Sequence, residues 1–385
     1  MKITVDRDVL AEAVAWVARS LPSRPSVPIL AGLLVRTEDD KAVLSSFDYE
    51  TSAKITVAAQ VDEPGEALVS GKLLADIARS LPAKPVRITT ESNHAELVCG
   101  SARFTLQTLP VADYPDLPKM PSATGTVNSD EFATAVGQVV VAAGRDELLP
   151  VFTGVRMEIE DDRLSLLATD RYRMALREMT WNPTSAQADA SALVPARVLA
   201  ESARSMISGE MVTLALSSAA DAEGLIGFVG EGAGGSRELT TRLLDGEFPK
   251  VRHLMEIQPS LSVRVNTAEI IDSVKRVSLV AERNTSLRMV IKDDRIALDA
   301  ATGDQAQASE AIEAAVDRIS PQSDIDAVGF NPHYLSDALS ALGTPYVQFA
   351  FTAPGKPCLV QGLDEVDGEP KPDYRHVIML MRLPS

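Results

Sequence analysis

A threefold internal repeat is the strongest constraint on how this 385-residue chain can fold. The segments TEDDKAVLSS (37–46), IEDDRLSLLA (159–168) and IKDDRIALDA (291–300) share Asp-Asp followed by Lys or Arg, then alternating apolar residues. Asp39, Asp161 and Asp293 stand 122 and 132 residues apart, so each copy is the size of one domain. An extended apolar run precedes each acidic turn: ILAGLLVR, VFTGVRMEI and LRMVI. Two extended runs joined by an acidic turn predict a β-hairpin. The paired aspartates read as solvated turn residues rather than metal ligands, since no His or third carboxylate clusters with them.

Each hairpin follows a stretch with helical spacing. DRDVLAEAVAWVARSL (6–21), NSDEFATAVGQVVVAA (128–143) and NTAEIIDSVKRVSLVA (266–281) open on Asp or Asn, a fitting N-cap. A second helix is expected in each copy, at VSGKLLADIARSLP (69–82), VPARVLAESARSMI (194–207) and FNPHYLSDALSALG (330–343). Alternating runs such as VRITTE, AELVCG and FTLQTLP follow the first of these. Strands with one apolar face suit antiparallel sheets with helices on one side. The chain therefore reads as α+β: three repeated domains, each with two helices packed on antiparallel sheets. Their expected bounds are 1–121, 122–257 and 258–385, with the linkers KMPSATG and EIQPS at the copy boundaries.

Composition narrows the class. A hydrophobic share of 45% suffices for buried cores, and no stretch approaches the length of a membrane span. The opening MKITVDRDVL carries no export signal, and Cys99 and Cys358 form no CxxC pair. A reducing cytoplasm is the expected compartment. The net charge of −17 argues against an open nucleic-acid-binding face, unless the basic residues are placed together.

They recur in register. Lys72 and Arg79 stand seven apart on the second helix of copy one, and Arg197 and Arg204 repeat this 125 residues later. Seven residues is nearly two turns, so each pair shares a helix face. The first helices add Lys275, Arg276 and Arg283 in copy three, with Arg145 at the matching place in copy two. Ordinary solvated faces would explain any single pair. Basic helices turned to a polyanion, with acidic residues elsewhere, would explain the repetition and the charge together.

The three-copy pattern, RPSVPILAGLLV (24–35), TDRYRMAL (169–176), DGEFPKVRHL (245–254) and the terminal VIMLMRL resemble the β sliding clamps of bacterial DNA polymerase III over essentially the whole chain. The resemblance implies clamp-type domains, six of them closing into a ring as a head-to-tail homodimer around non-specifically held duplex DNA. It implies a non-catalytic processivity subunit, without metal or cofactor, that works at the replisome on the nucleoid. The expected DNA-facing set is Arg24, Lys72, Arg79, Arg145, Arg197, Arg204, Lys275, Arg276 and Arg283. The expected partners are the replicative polymerase, a clamp loader and other proteins that carry short clamp-binding peptides.

The resemblance also explains why the chain ends on HVIMLMRLPS, an apolar run where chain ends usually fray. It would be both a last strand and one wall of a peptide pocket. Carried over, that pocket comprises Phe152, Thr169, Arg171, Tyr172, Arg173, Met174, Pro249, His253, Leu254, Val377, Met379 and Met381. Four residues depart from the family pattern. Phe152 stands where a smaller aliphatic residue is usual, Arg171 and Tyr172 where some members have Gly-His, and Leu380 where proline is expected. Lineage drift and a pocket reshaped against a competing ligand are both open readings, as is whether this is a housekeeping clamp or an additional copy.

Signals for catalysis fail in context. GEGAGG (230–235) satisfies G-x-G-x-x-G but precedes SRELTTRLL, which reads as a strand, so it is a loop and not a dinucleotide site. The four histidines show no metal spacing, and no nucleophile–base constellation is present. An enzyme with a dispersed site and a protein scaffold without DNA are the alternatives, separable by turnover assays and by retention on circular DNA.

Overall fold

The computed structural model describes residues 1–185, 189–217, 224–281, 285–302, 305–320 and 323–383. Two of the predicted hairpins close on two-residue turns. Strands Gly32–Glu38 and Lys41–Phe47 pair up to Glu38↔Lys41, and Gly154–Glu160 and Arg163–Thr169 up to Glu160↔Arg163. Asp39 and Asp161 take φ values of 50° and 51°, a left-handed conformation that Asp tolerates better than most residues. The third hairpin, Leu287–Ile291 with Arg295–Thr302, has a longer turn, where Lys292 donates its N–H to the Arg295 carbonyl at 2.9 Å.

Among the described residues there are six α-helices: α1 (Arg7–Ala18), α2 (Gly71–Ser80), α3 (Ser129–Val140), α4 (Ala196–Ser205), α5 (Thr267–Val277) and α6 (Pro332–Leu342). They occupy the six predicted stretches, shortened at their ends. Caps explain the starts. The Asp6 carboxylate accepts the N–H of Asp8 and of Val9, and Asn266 and Asn331 cap α5 and α6 in the same way. Gly343 ends α6 at φ 66°, the left-handed residue that a helix C-terminus favours.

The helices and sheets form two compact units that do not follow the repeat boundaries. One contains Met1–Ala133, Trp181–Ala188 and Val198–Leu243; the other contains Thr134–Thr180, Asp189–Arg197 and Leu244–Ser385. The central repeat thus supplies strands to both.

The first unit holds an antiparallel sheet of 14 described strands. Its two halves join where Gly235–Arg242 pairs with Thr51–Ala58, from Ser236↔Thr56 to Thr241↔Thr51. Hydroxyls reinforce the seam, with Ser52 and Thr240 at 2.6 Å and both buried. α1 packs on α2 and on the strands behind it, burying Leu10, Val14, Trp16 and Val17. Full burial of such side chains is worth roughly 1.5–3 kcal/mol each. Arg237 lies under this helix, only 3% exposed. Its guanidinium donates to Glu12 (2.9 Å), the Ser205 carbonyl (2.8 Å) and the Ala233 carbonyl (2.9 Å), over the Trp16 ring. The GEGAGG segment, expected as a loop, is instead the tip of a hairpin: strands Leu225–Gly232 and Gly235–Arg242 take four of its residues, only Ala233 and Gly234 turn, and it opens no helix.

The second unit holds a nine-stranded and a four-stranded antiparallel sheet among its described residues. The apolar C-terminus is tied down within the first of these. Tyr374–Ile378 is an interior strand, pairing Met174↔Val377 on one side and Leu359↔Val377 on the other.

Candidate functional site

The polar wall of the site is a turn with an unusual backbone. The Thr169 hydroxyl donates to the Arg173 carbonyl (2.8 Å) and accepts the Arg171 N–H (3.1 Å). Asp170 Oδ1 accepts the N–H of Tyr172 and of Arg173, each at 3.0 Å. These bonds hold Arg171 at φ 80°, which is strained for any residue with a Cβ and costs of order 1–3 kcal/mol. The strain aims the guanidinium at two rings, 5.6 Å from the Phe152 centroid and 5.8 Å from that of Tyr172.

Arg173 is held from the other side. Its Nε donates to Asp170 (3.1 Å), its Nη1 to Asp337 of α6 (2.5 Å), and its guanidinium lies 4.4 Å from the Tyr334 centroid. Tyr334 in turn stacks on Tyr172 at 6.4 Å. Together with Ala143, Gly144, Arg145, Asp146, Leu149 and His333, these residues enclose a cleft of about 500 Å³. Sequence reading missed Asp170, His333, Tyr334 and Asp337. They lie on the turn's own carboxylate and on α6, and no spacing rule links residue 334 to residue 172.

The apolar floor lies beside the turn. Met174 and Val377 are buried with Leu167, Leu176, Leu193, Phe248 and Met255, and Leu254 and Met379 pack against them half-buried. Pro249 is half-buried and His253 exposed on the same segment. Arg252 fixes that segment, donating to Glu178 (2.8 Å) and Glu158 (2.9 Å). Burial pushes the Glu158 carboxyl upward, but hydrogen bonds from Arg156 and Arg252 outweigh it, so its pKa lies below the ordinary value.

Met381 is not brought into this cluster. Its N–H donates to the Gly329 carbonyl at 2.8 Å, and its side chain lines a separate cleft of about 800 Å³ with Arg288, Asp299 and Leu383. The chain leaves the nine-stranded sheet after Ile378 and bridges to the four-stranded one, which carries Met381 away from Met379.

Beneath the floor, Tyr374, His376 and Gln138 are joined. The Tyr374 hydroxyl donates to the Gln138 carbonyl (3.0 Å), so His376 Nδ1, also 3.0 Å away, carries the proton that Tyr374 accepts. The fully buried imidazole is then neutral, with Nε2 unpartnered. Burial, aided by the Arg173 charge, depresses its pKa to about 3.

The expected basic residues are exposed on their elements, with different degrees of freedom. Lys72 and Arg79 project from α2, and Arg197 and Arg204 from α4. Arg204 bonds the Ala200 carbonyl at 3.2 Å and lies 3.8 Å from Glu201, which also pairs with Arg19 at 2.6 Å. Lys275 sits 3.8 Å from Asp272. Arg276 is engaged by both oxygens of Glu310, so it is the least available to a phosphate. Arg24 and Arg145 are exposed in loops, and Arg283 lies outside the described residues. Among the described residues no three His, Cys, Asp or Glu side chains gather as a metal site. No described helix is long and apolar enough to cross a membrane.

Comparison with known proteins returns one family throughout. The family models described as DNA polymerase III beta subunit, N-terminal, central and C-terminal domain match residues 1–118, 126–250 and 257–382. The beta sliding clamp of Streptomyces coelicolor is 51% identical over 383 residues, covering all of both chains. The beta sliding clamp homolog GriR of Streptomyces muensis is 39% identical over 99% of both chains. A Pseudomonas aeruginosa sliding clamp solved bound to griselimycin is 23% identical, with a TM-score of 0.87 over all of both chains. At that identity the last likeness concerns the fold.

Proposed function

Because this chain belongs to the family of the bacterial DNA polymerase III β subunit, the sliding clamps, we propose that two copies close head to tail into a ring around duplex DNA. The protein is a non-catalytic processivity factor that tethers the replicative polymerase to its template. Three clamp domains, at 1–121, 122–257 and 258–385, are supported by the matched family segments 1–118, 126–250 and 257–382, the last of which begins one residue before the proposed boundary. A cytoplasmic site of action on the nucleoid follows from that role.

Ring closure is carried by two open strand edges. Ala102–Leu109 meets Glu66–Ser70 only through Leu109 and Thr108, which leaves the rest of that edge unpaired by a described strand. Ala306–Glu313 ends the four-stranded sheet. Leu279, 84% exposed on the turn that follows α5, packs near it. Exposed edges invite pairing, and a head-to-tail contact between the first domain of one chain and the third of its partner covers both. Sedimentation of the full chain should show two chains per particle, and Leu279→Lys should shift it to one. A monomeric wild type at micromolar concentration would refute the ring.

Inside the ring, Arg24, Lys72, Arg79, Arg145, Arg197, Arg204, Lys275, Arg276 and Arg283 supply backbone-directed attraction without sequence readout. Topology supplies retention. The peptide pocket is assigned to the Met174–Leu254–Val377–Met379 floor and the Thr169–Arg173 wall, and it takes short peptides from polymerase, loader and repair proteins. Capture by a Met-containing apolar surface is physically apt.

A reshaped pocket is favoured by the Phe152–Arg171 stack, which fills space that a smaller aliphatic residue would leave open. Phe152→Leu should raise affinity for a bulky cyclic ligand more than for an extended peptide. Equal shifts by calorimetry would leave lineage drift as the account.

A further inference from the structure

Arg171 and Arg145 are set apart from the other charges around the 500 Å³ cleft. Asp170 and Asp337 are consumed by Arg173, and Asp170 also by two backbone N–H groups. Asp146 accepts the Leu148 N–H at 3.0 Å. Among the described residues no carboxylate pairs with the guanidinium of Arg171 or of Arg145, and the His333 ring is likewise without an ion-pair partner. Arg171 is nevertheless held in place, by its left-handed backbone and by the faces of Phe152 and Tyr172. A fixed guanidinium with its donors unused matches a carboxylate, which accepts two parallel N–H bonds.

We propose that Arg171 reads an acidic side chain that a partner peptide carries beside its apolar anchors. This rests on the assignment of the adjoining floor as the peptide pocket. The occupant is a short acidic peptide, for two reasons. The cleft adjoins the floor, since the Tyr172 carbonyl accepts the Met379 N–H at 2.8 Å. Its lining also sets Asp146, Asp170 and Asp337 against Arg145, Arg171 and Arg173, a balance of charge that suits one carboxylate better than a polyphosphate chain. The strain at residue 171 is then the cost of presenting the reader. Glycine would relax the turn and carry no guanidinium.

The test uses two synthetic peptides with the same Leu and Phe anchors, one with Asp and one with Asn beside them, titrated calorimetrically into the full chain. The Asp peptide should bind wild type at least about fivefold more tightly, as expected for a charge-assisted hydrogen bond at a partly exposed site. That preference should shrink in 0.5 M salt and fall towards one in Arg171→Gln, whatever happens to the absolute affinities. Arg145→Gln should reduce it less. Equal binding of the two peptides to wild type would overturn the acidic reader while leaving the pocket in place. Failure of both peptides to bind would overturn the pocket assignment itself. A single-stranded oligonucleotide that displaces the peptide and loses its own binding in Arg171→Gln would assign the cleft to nucleic acid instead.

Discussion

Met379 donates its backbone N–H to the Tyr172 carbonyl at 2.8 Å, so the C-terminal wall and the strained turn are one hydrogen-bonded piece. Deleting residues 379–385 removes that bond together with the Met379 side chain. Burial of a Met is worth roughly 1.5–3 kcal/mol, and about 1.4 kcal/mol is tenfold in affinity. Anchor-peptide affinity should therefore fall at least about tenfold. Met381→Ala should change it less than about twofold, because Met381 lines the other cleft. Calorimetric titration of both variants decides, and equal losses would place Met381 in the pocket after all.

Glycine and alanine should reverse their usual order at position 171. Both substitutions remove the guanidinium from Phe152 and Tyr172, but only alanine keeps the penalty of φ 80°. Arg171→Gly should be more stable than Arg171→Ala by about 1 kcal/mol in urea unfolding. A more stable alanine variant would mean that the turn relaxes and holds nothing in place.

Arg237 ties α1 to the seam of the first unit from a position 3% exposed. Its truncation strands the Ser205 and Ala233 carbonyls and leaves a hole under Trp16. Arg237→Ala should cost about 3 kcal/mol, and Arg237→Met clearly less, since Met refills the space without a charge. Denaturant midpoints at constant slope are the measurement. Equal losses would mean that the ion pair with Glu12, rather than packing under Trp16, holds α1 in place.

His376 should make the fold sensitive to acid before most carboxylates titrate. Its folded pKa of about 3 lies below the ordinary 6.5, so the unfolded chain binds the extra proton between those values. The stability it contributes is complete above pH 6.5 and is lost as pH falls towards 3, by about 1.4 kcal/mol per pH unit. Between pH 6 and 5 the wild type should lose stability faster than His376→Gln. Parallel profiles would show that the imidazole takes its proton without unfolding.

Much of this was legible in the chain itself, because repetition and periodicity are local signals. The Asp-Asp turns, the Asp6 and Asn266 caps and the alternating strands all declare themselves within a few residues. Met174, Leu254, Val377 and Met379 were named only through the family resemblance, and the fold gathers them in one apolar cluster. What stayed hidden depends on pairing between distant segments: Tyr334 under Arg173, Tyr374 against Gln138, and the crossover that takes Met381 to Gly329. Charge was only half legible. The sequence offers Arg276 as a free cation, and the fold hands it to Glu310. The strain at Arg171 has no sequence signature beyond the absence of glycine where the turn would welcome it.

The central claim is retention by encirclement, and release on cutting the circle tests it most directly. The labelled protein is loaded by its clamp loader and ATP onto nicked circular DNA, then passed through a gel-filtration column in 0.5 M salt, where phosphate contacts weaken steeply. A ring should elute with the circle, and should leave it once a single restriction cut supplies ends to slide from. Protein that stays bound after linearisation, or that never survives the salt on the intact circle, would contradict the account.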